Sequence, residues 1–187
     1  MSTPGLLDCD KILALLAEVA AVLDGGGDGR RHEAIVVGGS LLAVHHMREA
    51  TIDVDSVRRL DTELRHAIEV VGERHGLGAH WLNDSAAAFT PAGFNPSECE
   101  VLFEHRRFVV LGAPLRDVFI MKLYRADPAD VDDMVTIWPH IAHGFNNATE
   151  VAAAFYDAYP HAPDDEHLPE WISKAICSRT AHPLPVH

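Results

Sequence analysis

Two aspartates separated by one residue, Asp53 and Asp55 in the stretch TIDVDS, are the residues whose type and spacing point most directly to chemistry. In an extended strand, residues two apart project to the same face, about 6.5–7 Å apart along the chain. Two carboxylates that close repel unless a cation sits between them. Mg²⁺ suits such a pair, because it is commonly held by one or two carboxylates together with substrate phosphates. Aspartate is also a poor strand former, so two in one short strand need a reason. The bland alternative is the open polar face of a half-buried strand.

Other residues extend this reading. Upstream, the apolar run AIVV ends in Gly38, Gly39 and Ser40. A strand that breaks on two glycines into a helix brings bare backbone close to a ligand, and free N–H groups at the helix start attract an anion. Ser40 adds a hydroxyl, so the turn reads as a phosphate cradle or as a plain turn. Phosphoryl chemistry with two ions needs a further carboxylate. The stretch CEVLFE offers Glu100 and Glu104 on one strand face, and Glu100 is the preferred third ligand if that strand neighbours Asp53. Lys122 is the single charge within VFIMKLY, with so little polar face around it that it must either snorkel out or meet an anion. Asp127 and Asp130 are explained as helix-start residues, whereas Asp133 is placed to pair with Lys122 or Arg125.

The elements that must position these residues follow from periodicity. A helix is expected over 6–24, stopped by Gly25, Gly26 and Gly27, followed by a strand at 34–39, helical turns at 40–46 and a strand at 51–56 with Ile52 and Val54 on its apolar face. A helix at 60–75, a loop at 84–98 and paired strands at 99–104 and 107–112 come next. Helices at 115–125, 128–140, 147–159 and 167–177 complete the chain. The expected class is α+β: a short twisted mixed sheet with packed helices and a C-terminal helical appendage. The expected units are 1–113 and 114–187.

Composition narrows the function. Of 187 residues, 48% are hydrophobic, enough for a substantial core, but no run is long enough to span a bilayer. The N-terminus lacks a basic region and a signal-type apolar segment, and Cys9, Cys99 and Cys177 are too far apart to read as a disulfide framework, so a cytoplasmic protein with reduced thiols is expected. The thirteen histidines, including those near the end at His161, His167, His182 and His187, show no metal-ligand spacing. A net charge of −13 argues against sequence-blind binding to nucleic acid, which requires a basic face. A local lip built from Arg58, Arg59, Arg106, Arg107 and Arg116 remains compatible with it.

The stretch VVGGSLLAVHHMREATIDVD resembles the signature of the nucleotidyltransferase superfamily of the DNA polymerase beta type: apolar strand, Gly39-Ser40, a spacer, then Asp53-x-Asp55. Arg48 and Thr51 match a form of the motif found in uncharacterised and AbiEii-like branches, many encoded in toxin–antitoxin operons. Lys122, Arg125, Asp130 and Asp133 fall on the charged positions of a helical segment found in small prokaryotic members. The resemblance implies transfer of a nucleoside monophosphate from a nucleoside triphosphate to a hydroxyl of tRNA or of a protein. Asp53 and Asp55 would hold two Mg²⁺ ions with Glu100. Gly38, Gly39, Ser40, Arg48 and Thr51 would bind the nucleotide, and Lys122 would neutralise the triphosphate. A cognate toxin or antitoxin is the implied partner. The alternative is a catalytically weak member that docks a partner through Phe145, Phe155, Tyr156 and Tyr159. A plain metal-binding or hydrolase domain is a third reading.

Overall fold

A computed structural model of the chain describes residues 5–26 and 29–186. Gly27, expected to help stop the first helix, and His187 lie outside the described residues. The elements in chain order are α1 (Cys9–Asp24), β1 (His32–Val37), α2 (Gly38–Val44), β2 (Val54–Ser56), α3 (Thr62–His75), β3 (Leu82–Asn83), β4 (Glu100–His105), β5 (Phe108–Gly112), α4 (Leu115–Arg125), α5 (Pro128–Ile141), α6 (Ala148–Ala158) and α7 (Leu168–Ala175). The α+β class is as expected. The chain divides into two compact units, the first running to Phe89 and including Pro96–Ala113, the second formed by Thr90–Asn95 and the chain from Pro114.

The first unit is built on one mixed sheet in the order β3-β2-β1-β5-β4. β1 is antiparallel to β2 and parallel to β5, β2 is parallel to β3, and β4 is antiparallel to β5. β1 is central, and Ala34 to Val37 are all buried, as expected of a strand covered on both faces. α1 and α3 bury Leu15, Leu16, Val19, Leu64, Ile68 and Val71. Both helices have an aspartate N-cap: Asp8 takes the Lys11 N–H and Asp61 the Leu64 N–H, at 2.9 and 3.1 Å. α3 ends on Gly76 at φ 65°, a left-handed cap.

Two expectations change. The strand expected over 51–56 pairs only from Val54. Thr51 instead exchanges both backbone hydrogen bonds with Leu7, at 2.7 and 2.9 Å, and the intervening bend leaves Ile52 exposed while Val54 is buried. The expected loop over 84–98 contains 3₁₀ turns at Ser85–Phe89 and Pro96–Glu98.

The second unit packs α4 on α5 through Phe119 and Trp138, whose ring centroids are 5.7 Å apart, with Phe145 stacked on Trp138 at 6.0 Å. The C-terminal residues close over it: the His182 carbonyl accepts from Trp138 Nε1 at 2.8 Å and the Pro185 carbonyl from the Ala148 N–H at 2.9 Å. Phe145 and Phe155 are therefore interior residues of this unit, which removes half of the aromatic docking face expected from the sequence.

Candidate nucleotide and metal site

The site forms where β1 ends. Gly38 has φ 65°, a conformation that costs other residues a Cβ clash, and it starts α2 directly from the strand. The β1–β2 register sets Val37 opposite Asp55. In consequence a Cβ on Gly38 would lie 3.7 Å from Asp55 Oδ2. One residue on, a Cβ on Gly39 would lie 3.0 Å from an Arg48 guanidinium nitrogen and 3.3 Å from the Thr51 hydroxyl. Arg48 is steadied by its Nε on the Ala50 carbonyl at 3.0 Å, and Thr51 by its paired bonds to Leu7. The two glycines, Arg48, Thr51 and Asp55 thus meet at one turn.

Ser40 behaves differently from its neighbours. Its side chain is buried and its hydroxyl donates to the Val37 carbonyl at 2.9 Å, so its proton secures the turn from within.

Asp53 and Asp55 are both half-buried. Burial raises the Asp53 pKa above the ordinary carboxylate value, the neighbouring charge of Asp55 raises it further, and Arg48 opposes both. Asp55 has Ser85 beside it, with the hydroxyl 3.3 Å from Oδ1. That same hydroxyl donates to Asn83 Oδ1 at 2.5 Å, and the Ser85 N–H donates to the same oxygen at 2.9 Å. Asn83 stands opposite Asp55 across the β2–β3 ladder. Neither residue was singled out from the sequence, because a two-residue strand leaves no periodic signal.

Glu100 does not join this pair. β4 is not a neighbour of β2; it lies three strands away at the far edge, about 14 Å by strand spacing. Glu100 Oε1 instead lies 2.7 Å from His45 Nε2. Glu104 pairs with Arg31 at 2.5 Å. The condition under which either glutamate would complete the metal set is therefore not met in the sheet.

In the second unit, Lys122 is buried, and its ammonium lies 2.9 Å from Asp130 Oδ1 and 2.6 Å from Asp133 Oδ2. Asp130 also accepts from Arg125 Nε and Nη2, at 2.5 and 2.8 Å. Burial alone would raise the Asp130 pKa, but the hydrogen bonds from Arg125 and Lys122 outweigh it and hold the carboxyl below its usual value. Asp127 caps α5 by accepting from the Asp130 N–H at 3.0 Å. The lysine has met anions supplied by its own chain.

Four of the five arginines expected to form a basic lip are engaged elsewhere. Arg107 is buried, with its guanidinium on the Leu23 and Gly26 carbonyls and, at 2.8 Å, on Glu63. Arg58 pairs with Glu33 at 2.7 Å, and Arg106 lies 3.4 Å from Asp24. Arg107 sits at the start of β5, beside His32, which is the end of the sheet opposite Gly38. Arg116, in the second unit, lies over the Phe145 ring at 5.0 Å.

A family model described as "Nucleotidyltransferase of unknown function (DUF6036)" matches residues 10–137. The chain belongs to this family. The match takes in the glycine turn, the carboxylate pair and the Lys122 cluster, and the mixed sheet accords with a nucleotidyltransferase fold. No curated protein and no solved structure matches the chain. Among the described residues no helix is long and apolar enough to cross a membrane, and the three cysteines are free thiols.

Proposed function

We propose that the protein is a Mg²⁺-dependent nucleotidyltransferase that moves a nucleoside monophosphate from a nucleoside triphosphate to a hydroxyl of RNA, with tRNA as the first candidate, or of a protein. The observation that carries this reading is the convergence of Gly38, Gly39, Arg48, Thr51 and Asp55 at one turn, with Asp53 beside it, in a chain of nucleotidyltransferase family. Two half-buried carboxylates, with the Asp55 charge raising the proton affinity of Asp53, are a fit donor set for a dication.

Asp53 and Asp55 would hold the metal, whose charge would offset that of the phosphates. Gly38 and Gly39 leave room for phosphate oxygens against the backbone, and the Arg48 guanidinium meets one of them. The Ala50 carbonyl holds Arg48 over the turn, with the Thr51 hydroxyl beside the same glycine, Gly39. The acceptor hydroxyl oxygen bonds to the α-phosphorus as the bond from that phosphorus to the bridging oxygen breaks. Pyrophosphate leaves and the hydroxyl proton passes to solvent. Positioning and charge stabilisation do the catalysis. Lys122 is assigned to the triphosphate by the sequence resemblance alone; within its own unit its ammonium is held by Asp130 and Asp133. A toxin–antitoxin module is the proposed setting, on the strength of the sequence resemblance.

A second reading has its own support. The Ser40 proton and the Lys122 ammonium are both engaged within the chain, which favours a catalytically weak member that acts by binding a partner. Nucleotide labelled at the α-phosphate separates the two. The enzyme reading predicts label on tRNA or protein, none from the γ-phosphate, and a loss of at least about 100-fold in Asp53→Asn and Asp55→Asn. Biological effect retained in both variants, with no α-label transferred, supports the binding reading.

A further inference from the structure

No third carboxylate stands beside the pair in its own sheet: Glu33, on the neighbouring β1, lies four residues from Val37 at the other end of the strand and pairs with Arg58. β2 has two neighbours, and opposite Asp55 they present Val37 on one side and Asn83 on the other. The next residue along, Asp84, is buried and occupied: its Oδ2 accepts from the Leu60 N–H at 3.1 Å and from Arg65 at 2.5 Å. Glu100 and Glu104 lie on the opposite edge with partners of their own. Among the described residues no three His, Cys, Asp or Glu side chains group as a metal-ligand set.

Charge then decides how many ions the pair can hold. Two metal ions in a phosphoryl-transfer site sit about 3.5–4 Å apart and repel, so the anionic ligands between and around them must balance both. Asp53 and Asp55 together with phosphate oxygens are a usual complement for one Mg²⁺. The group beside Asp55 is a neutral amide, and Asn83 Oδ1 already accepts two bonds from Ser85. It has little left to offer a second dication, and no negative charge.

We propose that the Asp53–Asp55 pair holds a single divalent ion, the one that accompanies the triphosphate, and that Asn83 is the residue that limits it to one. This rests on the nucleotidyl-transfer reading. Asn83 and Ser85 act as positioning residues: they fix Asp55 against the glycine turn from the β3 side. The acceptor hydroxyl is then oriented by protein groups without an ion of its own.

The test counts ions. The full chain is titrated with Mn²⁺ and followed by electron paramagnetic resonance, alone and with each of the four α,β-methylene ribonucleoside triphosphates, for wild type and Asn83→Asp. The expected result is one nucleotide-dependent Mn²⁺ per chain in wild type. In Asn83→Asp a second ion appears, bound at least about 10-fold more tightly than any second ion in wild type, with the exchange-coupled spectrum of a close Mn²⁺ pair. Two coupled ions in wild type would overturn the proposal and leave the nucleotidyl-transfer reading intact. One ion in both proteins would also overturn it, because Asn83 would then not be what limits the site. If Asn83→Asp fails to fold by circular dichroism, the wild-type count still decides. No nucleotide-dependent Mn²⁺ in wild type, with any of the four nucleotides, would remove the nucleotidyl-transfer reading itself and the proposal with it.

Discussion

At Asp53 the chain holds a charge where burial and Asp55 both oppose it. A folded pKa raised above the unfolded value means that this group's contribution to stability is full below the ordinary value of 3.8 and is lost as pH rises through the folded pKa. Without ligand, Asp53→Asn should therefore melt higher than wild type at pH 7, by about 0.5 kcal/mol for a half-exposed like-charge pair, and equal to it at pH 3. Melting curves at the two pH values check this, and a lower melting point at pH 7 would mean that the pair is not repulsive. Asp130 has the opposite sign. Its pKa is held down, so its contribution is present above the ordinary carboxylate value and is lost as pH falls through the depressed one. Lys122→Met leaves two carboxylates buried without their ammonium, at a cost of about 3–5 kcal/mol, and flattens the acid limb of the stability profile. Unchanged melting would contradict the buried cluster. Lys122 was legible in the sequence as an anomaly, a lone charge in an apolar helix. That its anions come from its own chain was not, because only the α4–α5 pairing brings Asp130 and Asp133 to it.

The elements explain what the sequence could and could not tell. Strong periodicity and clear stops gave α1, α3 and the four C-terminal helices within a few residues; Asp127 was legible as a cap, whereas Asp8 and Asp61, which cap α1 and α3, fell inside helices expected to start at 6 and 60. Sheet order was not legible. Glu100 was expected beside Asp53 because strand sequences carry no record of which strand pairs with which, and β5 inserts parallel to β1 between them. The β5 strand also carries the glycine turn's helix: a Cβ on Gly112 would meet Leu41 of α2 at 2.7 Å and Leu102 at 3.1 Å. Gly112→Ala should cost about 1–3 kcal/mol by overpacking and should weaken nucleotide binding from a position that touches no ligand. Full binding in a folded Gly112→Ala would show that α2 is not held by this contact.

At the scale of the whole molecule, the surplus of acidic residues, 28 against 15 basic, and the internal engagement of Arg107 and Arg58 leave little surface for phosphate backbones. Binding to a random-sequence RNA oligomer should be weaker than about 10⁻⁴ M at physiological salt, measured by fluorescence anisotropy. An RNA acceptor would then have to be recognised by shape at a local site. Micromolar, steeply salt-dependent binding would contradict this charge argument. The central claim is that a nucleoside triphosphate and its metal bind where Gly38 and Gly39 meet Asp53 and Asp55. Thermal melting of wild type and Asp53→Asn with Mg²⁺ and each of the four ribonucleoside triphosphates tests it most directly. A ligand at about 100 times its Kd adds roughly 2.7 kcal/mol, on the order of 5–10 °C for a chain of this size. The account predicts such a shift in wild type, dependent on Mg²⁺ and abolished by Asp53→Asn. A shift of equal size in the variant, or none in wild type with any nucleotide, would contradict it.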